Sequence, residues 1–357
     1  MSDPAGVHLV GSIPLSSTEE VFTKICQEIP KRLQSLPDGE TGYRHGFVDW
    51  QTFVFPPGIL RADKRDGPLQ GDFEPTLDDI KPTKYSEPNA ASYRTFQKLR
   101  EQGIIPPGIR FQVSLPTPIN TCFAHVDYAY RPKVEPLYMQ RVVQDLKNLQ
   151  AIIPAEDLAI QIDCAIEMGY LEYERGRLSQ SNLVYIEGQR KGVINEMFKP
   201  HPSLEPLKET MADRVAELSS AVDSGVLLGI HLCYGDRGHE HFVQPKDTSL
   251  LVEMANAILE RVDRQVQWIH MPVPRERTDI DYFKPLQGLR LGKTKLYLGL
   301  VHAQDQSGTE ERVKVAQSVY GPSFGVATEC GMGRTAREDL DSILLISKKV
   351  SAPVQIE

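Results

Sequence analysis

The sequence predicts a single (β/α)8 barrel, and three observations carry that expectation. Short runs rich in Val, Ile and Leu recur eight times along the 357 residues. Most are followed by a stretch whose apolar positions repeat at about the 3.6-residue helical period. Reactive polar residues stand directly after the apolar runs, where a barrel gathers its chemistry.

In chain order, residues 7–11 form the first expected strand and end in Gly11-Ser12. A helix is expected over 17–32. The second strand, 32–36 (RLQSL), is short enough to read equally as the end of that helix, and Asp38-Gly39-Glu40 follows it. The chain then becomes polar and rich in Pro, Gly and aromatics, too long for an ordinary βα loop. It reads as an insertion at about 50–105 that forms a lid or wall over the barrel mouth.

The third strand covers 109–115, with a helix at 137–153 behind it. The fourth, 158–162, ends in Asp163-Cys164 and leads into a second insertion at 170–202. A helix at 204–220 precedes the fifth strand, 226–232, which carries His231-Leu232-Cys233 at its end. The helix 249–262 and the sixth strand 266–271, with His270, come next. The seventh strand, 295–301, ends at His302; a helix at 309–319 and the eighth strand, 324–328, then lead to Glu329-Cys330-Gly331. With no linker, repeat or low-complexity tract, residues 1–357 read as one domain. A doubly wound open sheet is the structural alternative.

Composition excludes several classes of partner. Forty basic against 48 acidic residues give a net charge of -8, and no Lys/Arg run could neutralise a phosphate backbone, so nucleic acid is not expected. No segment approaches the ~20 apolar residues that span a bilayer, and the N-terminus lacks a signal-peptide pattern. A cytoplasmic protein without membrane partners is the expectation. Five cysteines in no disulfide-scaffold spacing fit a reducing compartment, which turns attention to metal binding.

His231 and Cys233 are two residues apart, so on an extended strand they share a side and can hold one ion together. Cys330 stands at the end of another strand. Two thiolates and an imidazole suit zinc, and a catalytic zinc site uses three protein ligands with one exchangeable position. His302 is a candidate general acid toward a leaving group, or a hydrogen-bonded structural histidine. The cluster His239-Glu240-His241 reads as solvated loop.

VGSIP at 10–14, DGE at 38–40, IQID at 160–163, HLCYG at 231–235 and ECGMGR at 329–334 occur in the order of the motifs of another group. On them the chain resembles the catalytic barrel of cobalamin-independent methionine synthases and the wider zinc-dependent thiol alkyltransferases, in the uroporphyrinogen decarboxylase-like superfamily. The resemblance implies that His231, Cys233 and Cys330 hold zinc, which activates a substrate thiol for alkyl or methyl transfer. It also implies that Gly11, Ser12, Glu40 and Asp163 bind a homocysteine-like substrate. Asp163 and His302 are the candidate catalytic residues. The expected partners are a small-molecule thiol and an alkyl donor.

The departures point to altered substrates. His270 occupies the position of the family's fourth ligand, a glutamate, and could take its place; water, substrate or Glu329 are the alternatives. Cys164 replaces another glutamate and reads as an inert thiol. No basic groove for a polyglutamylated folate is visible. Two other functions remain open on this barrel: a metal-independent lyase or decarboxylase, and a non-catalytic zinc-binding protein.

Overall fold

Among the described residues, seven parallel strands pair in strict chain order: β1 (Ser35–Pro37), β2 (Arg110–Pro116), β3 (Leu158–Cys164), β4 (Leu227–Leu232), β5 (Trp268–Pro272), β6 (Lys295–Gly299) and β7 (Gly325–Val326). The structure is a computed structural model describing residues 3–177, 198–235 and 241–354. The curled parallel sheet is consistent with a TIM-like barrel. Parallel neighbours need crossovers, and helices supply them. These are α1 (Thr18–Glu28), α2 (Ser86–Glu101), α3 (Pro118–His125), α4 (Arg131–Ile152), α5 (Glu167–Glu174), α6 (Leu207–Ser220), α7 (Ser249–Arg261), α8 (Ile280–Phe283), α9 (Gln306–Tyr320) and α10 (Leu340–Lys349).

The expected first strand, 7–11, is corrected: it forms no ladder. Instead, Val7 makes a single parallel bridge to Val326 of β7, and Ser12 another to Gly39 just beyond β1. The reason lies in who satisfies its backbone. The side-chain amide of Gln112 donates to the carbonyls of Leu9 (2.9 Å) and Val10 (3.0 Å), and that of Gln161 to Val10 (2.7 Å). Inward-facing amides of β2 and β3 thus replace strand partners at Leu9 and Val10, which buried carbonyls require in some form, while Val7 and His8 donate to the backbone carbonyls of Arg32 and Val326. The weaker expectation for 32–36 holds in part, as β1.

Local sequence explains where elements begin. Ser17 caps α1 by accepting from the Glu20 N–H at 3.2 Å, and Val21, Phe22 and Ile25 fall on the buried stripe. Pro118 and Pro132 open α3 and α4, where a missing N–H costs nothing. Strand β3 is buried along its whole length, as a parallel strand covered on both faces should be. Gly229 of β4 makes room for its neighbour, since a Cβ there would lie 1.8 Å from Cε2 of Trp268.

The insertion expected at 50–105 is corrected as well. Residues 86–101 are α2, the helix between β1 and β2, so the true excursion is 38–85. It is tied down: the Asp145 carboxylate of α4 accepts from Thr83 Oγ1 at 3.0 Å and from Ser86 N and Oγ at 3.1 and 2.5 Å. Most of the insertion expected at 170–202 lies outside the described residues, as do His239 and Glu240. Among the described residues no helix is long and apolar enough to cross a membrane.

Candidate metal centre and substrate cavity

Strand register brings the candidate ligands together. Asp163, His231 and His270 are successive partners across β3, β4 and β5, so their side chains lie at one level of the sheet. Cys233 follows β4, its N–H bonded to the Cys164 carbonyl at 2.9 Å. Cys330 follows β7, and Thr328 Oγ1 donates to its carbonyl at 2.7 Å. The donor atoms of His231, Cys233 and Cys330 all lie within 4.8 Å of one another. The two sulfurs are 3.6 Å apart, and Nε2 of His231 is 3.6 Å from Sγ of Cys330. Two sulfurs and one imidazole nitrogen match the donor set zinc takes.

His270 stands behind this cluster. Its Nε2 is 3.0 Å from the Thr328 carbonyl, which can only accept, so Nε2 carries the proton. Its Nδ1 then holds a lone pair, 2.6 Å from Nδ1 of His231, which must donate. That leaves Nε2 of His231 with its lone pair facing the cysteines. Burial holds both rings neutral, taking His231 down to about 3 and His270 well below the ordinary histidine range. Both nitrogens of His270 are therefore engaged, and its atoms are not part of the three-ligand cluster.

A cavity of about 420 Å³ opens beside these ligands, lined by Gly11, Ser12, Glu40, Asp163 and all three metal-ligand candidates. Glu40 is aimed into it by a strained turn. Gly39 and Glu40 are both left-handed, at φ 82° and 50°, and the Asp38 carboxylate accepts from the Glu40 N–H at 2.9 Å. Asp38 is fixed in turn by Arg44 at 2.5 Å and Ser92 at 2.6 Å. Gly11 lets the carboxylate come close, since a Cβ there would lie 3.2 Å from Oε1 of Glu40.

Burial raises Glu40 to about 7, partly offset by Arg44. It raises Asp163 well above its usual range too, with the charge of Glu40 adding to the effect. Two carboxylates held off their ordinary ionisation are relieved by a cation placed between them.

Other expected residues take different positions. Ser12 faces the cavity, but its hydroxyl accepts from the Gly333 N–H at 3.0 Å, and its carbonyl from Met332 at 2.7 Å, so it also clamps the Cys330 loop. His302 does not line this cavity. Its Nε2 donates to the Val273 carbonyl at 3.0 Å, and it faces a separate space beyond Cys330, so it presents no proton to this cavity. The Cys164 thiol is fully buried and pushed well above the ordinary thiol range by desolvation, then by Glu167 and Asp163.

The strand-end reading misses Asn120 and Glu167. Asn120 lines the cavity from α3, accepts from the Ile166 N–H at 2.9 Å and donates to the Asp163 carbonyl at 3.2 Å. Glu167 is bonded by Thr117 and Asn120, and burial lifts it to about 7. The signal was the polar TPIN directly after β2, a strand end that carries none of the recognisable motifs.

No protein-family model matches the sequence, and no curated protein matches it. Among solved structures, the chain is similar to a B12-independent methionine synthase from a Shewanella species, in complex with selenomethionine, with TM-score 0.53 and 13% identity over 97% of this chain and 96% of that one. It is also similar to a Listeria monocytogenes protein described as a vitamin-B12 independent methionine synthase, with TM-score 0.51 and 15% identity over 99% of both chains. At these identities the likeness shows a shared fold.

Proposed function

We propose that the chain is a zinc-dependent transferase that moves an alkyl or methyl group onto the sulfur of a small thiol bound in the 420 Å³ cavity. One observation carries this reading: His231, Cys233 and Cys330, from distant parts of the sequence, meet within 4.8 Å at the ends of strands, on the wall of that cavity. The shared fold with the methionine synthase structures supports it. When bound, zinc would lower the thiol's pKa from ~8.5, so that it is held as a nucleophilic thiolate at neutral pH.

The chain's own residues do the rest. Thr328 and His270 fix the tautomer of His231 so that Nε2 offers its lone pair toward the cysteines; a second partner of this kind orients most metal-binding histidines. His270 thus acts in support of the ligands rather than as the fourth. Glu40 and Asp163 pair with a substrate ammonium, which draws both back to the ionised state and orients the sulfur. Arg334, also on the cavity wall, suits a substrate carboxylate.

Zinc content tests the proposal. The purified protein should carry about one zinc per chain, and Cys233→Ser and Cys330→Ser should each lose it. Full zinc retention in both variants would sink the assignment.

A further inference from the structure

A side chain that hands a proton to a leaving group must face the thiol cavity, and His302 does not. The wall of that cavity carries another histidine, His45, on the excursion between β1 and α2. We propose that His45 is the acid that protonates the leaving atom of the alkyl donor, and that this leaving atom is a nitrogen or an oxygen. The inference deepens the proposed function and rests on it for the thiol acceptor.

Three observations place His45 in that role. The first is an uncommitted ring: Nε2 is buried with no hydrogen-bond partner among the described residues, and no hydrogen bond of the protein holds Nδ1. Structural histidines of this chain are bonded instead. His125 donates from Nε2 to the Val48 carbonyl at 2.7 Å and accepts at Nδ1 from Thr52 Oγ1 at 2.9 Å. His231, which also lines the cavity, has Nδ1 turned to His270 and Nε2 to Cys330. A polar ring that the fold leaves unbonded on the wall of a cavity is matched by what fills the cavity.

The second observation is how the backbone beneath that ring is held. Arg44, the preceding residue, is buried and bonded to Asp38 at 2.5 Å. A Cβ at Gly333 would lie 3.2 Å from the His45 carbonyl. The segment is therefore pinned between the Glu40 turn and the loop that carries Cys330, while its imidazole stays free to turn to a ligand.

The third is the chemistry of the rest of the wall. Glu40 and Asp163 are taken by the substrate ammonium. Asp63 is pushed up by burial, but Arg61 at 3.0 Å outweighs this and holds it below the usual carboxylate range, so it has no proton to give. Guanidinium and ammonium groups, here Arg61, Lys64 and Arg334, are weak acids near neutrality. Histidine is the side chain whose ordinary titration range spans it.

In the reaction, the thiolate sulfur attacks the alkyl carbon, and a C–S bond forms as the bond from that carbon to nitrogen or oxygen breaks. The electron pair of the broken bond goes to the leaving atom. That atom takes the proton of the His45 imidazolium and departs as a neutral amine or alcohol. His45 is left neutral and, being half-buried, regains a proton from solvent.

The test gives the zinc-loaded protein homocysteine as acceptor and two alkyl donors: ethylene oxide, whose oxygen must be protonated, and methyl iodide, whose iodide leaves without a proton. Thioether formation is followed by mass spectrometry and corrected for the uncatalysed rate. A positioned acid typically contributes about 10²–10⁴-fold, so His45→Ala should lower the ethylene oxide rate about 100-fold or more relative to the methyl iodide rate. His45→Gln, which keeps a hydrogen-bond donor but no acid, should do the same, and His302→Ala should leave the ratio unchanged; thermal midpoints verify folding. A ratio unmoved by His45→Ala, a ratio moved equally by His302→Ala, or a wild-type protein that accelerates only methyl iodide would overturn the inference alone. A protein that accelerates neither donor fails the thiol reading and the inference with it.

Discussion

Two residues test the local physics. His270 is argued to hold His231 in one tautomer through a 2.6 Å contact, itself fixed by the Thr328 carbonyl. Removing such a partner typically costs about 10–100-fold in metal affinity. His270→Ala should therefore bind zinc about 10–100-fold more weakly in a chelator competition, without abolishing binding. Complete loss of zinc would make His270 a ligand after all. Glu40 tests the cavity's electrostatics. Its carboxyl is raised to about 7, so the folded state binds a proton more tightly than the unfolded one. That stability is present below the unfolded value near 4.5 and is lost as pH rises toward 7. Glu40→Gln should flatten the decline of ligand-free stability between about pH 5 and 7 and be about 1–3 kcal/mol more stable than wild type at about pH 8. Urea unfolding across that range checks it, and an unchanged slope would contradict it.

At the scale of elements, β4 and β5 position the centre, and their spacing depends on Gly229. A side chain there would occupy the space of the Trp268 indole, with a Cβ 1.8 Å from Cε2. Gly229→Val should destabilise the fold by about 3 kcal/mol, the upper end for overpacking, since indole and strand must both shift; chemical denaturation measures it. The elements also show what was legible. Strands β2 to β6 announced themselves as short runs rich in apolar residues, as buried parallel strands tend to be. Residues 7–11 carry the same signal yet form no ladder: Val7 and His8 donate to the carbonyls of Arg32 and Val326, and the Gln112 and Gln161 amides take the carbonyls of Leu9 and Val10. No one-dimensional pattern shows that side chains will replace strand partners. Helix α2 was hidden for the opposite reason: its SEPNAASYRTFQKLRE is polar overall although Ala90, Tyr93, Phe96 and Leu99 are buried, and it follows a Pro-rich excursion that masked its start.

For the whole molecule, the three metal-ligand candidates were legible because strand ends in a parallel sheet converge on one face, which turns distant residues into neighbours. Their partners were not. That His270 would turn its Nδ1 to His231, and that His302 would face a chamber beyond Cys330, depend on rotamers and on carbonyls supplied by Thr328 and Val273. The same convergence places Cys330 on the walls of two cavities. The account stands on that centre having a position open to a thiol, and zinc K-edge X-ray absorption before and after adding homocysteine measures it most directly. It predicts a shell with two sulfurs at ~2.3 Å that becomes three on thiol addition. A protein without zinc, or a shell unchanged by the thiol, would contradict it.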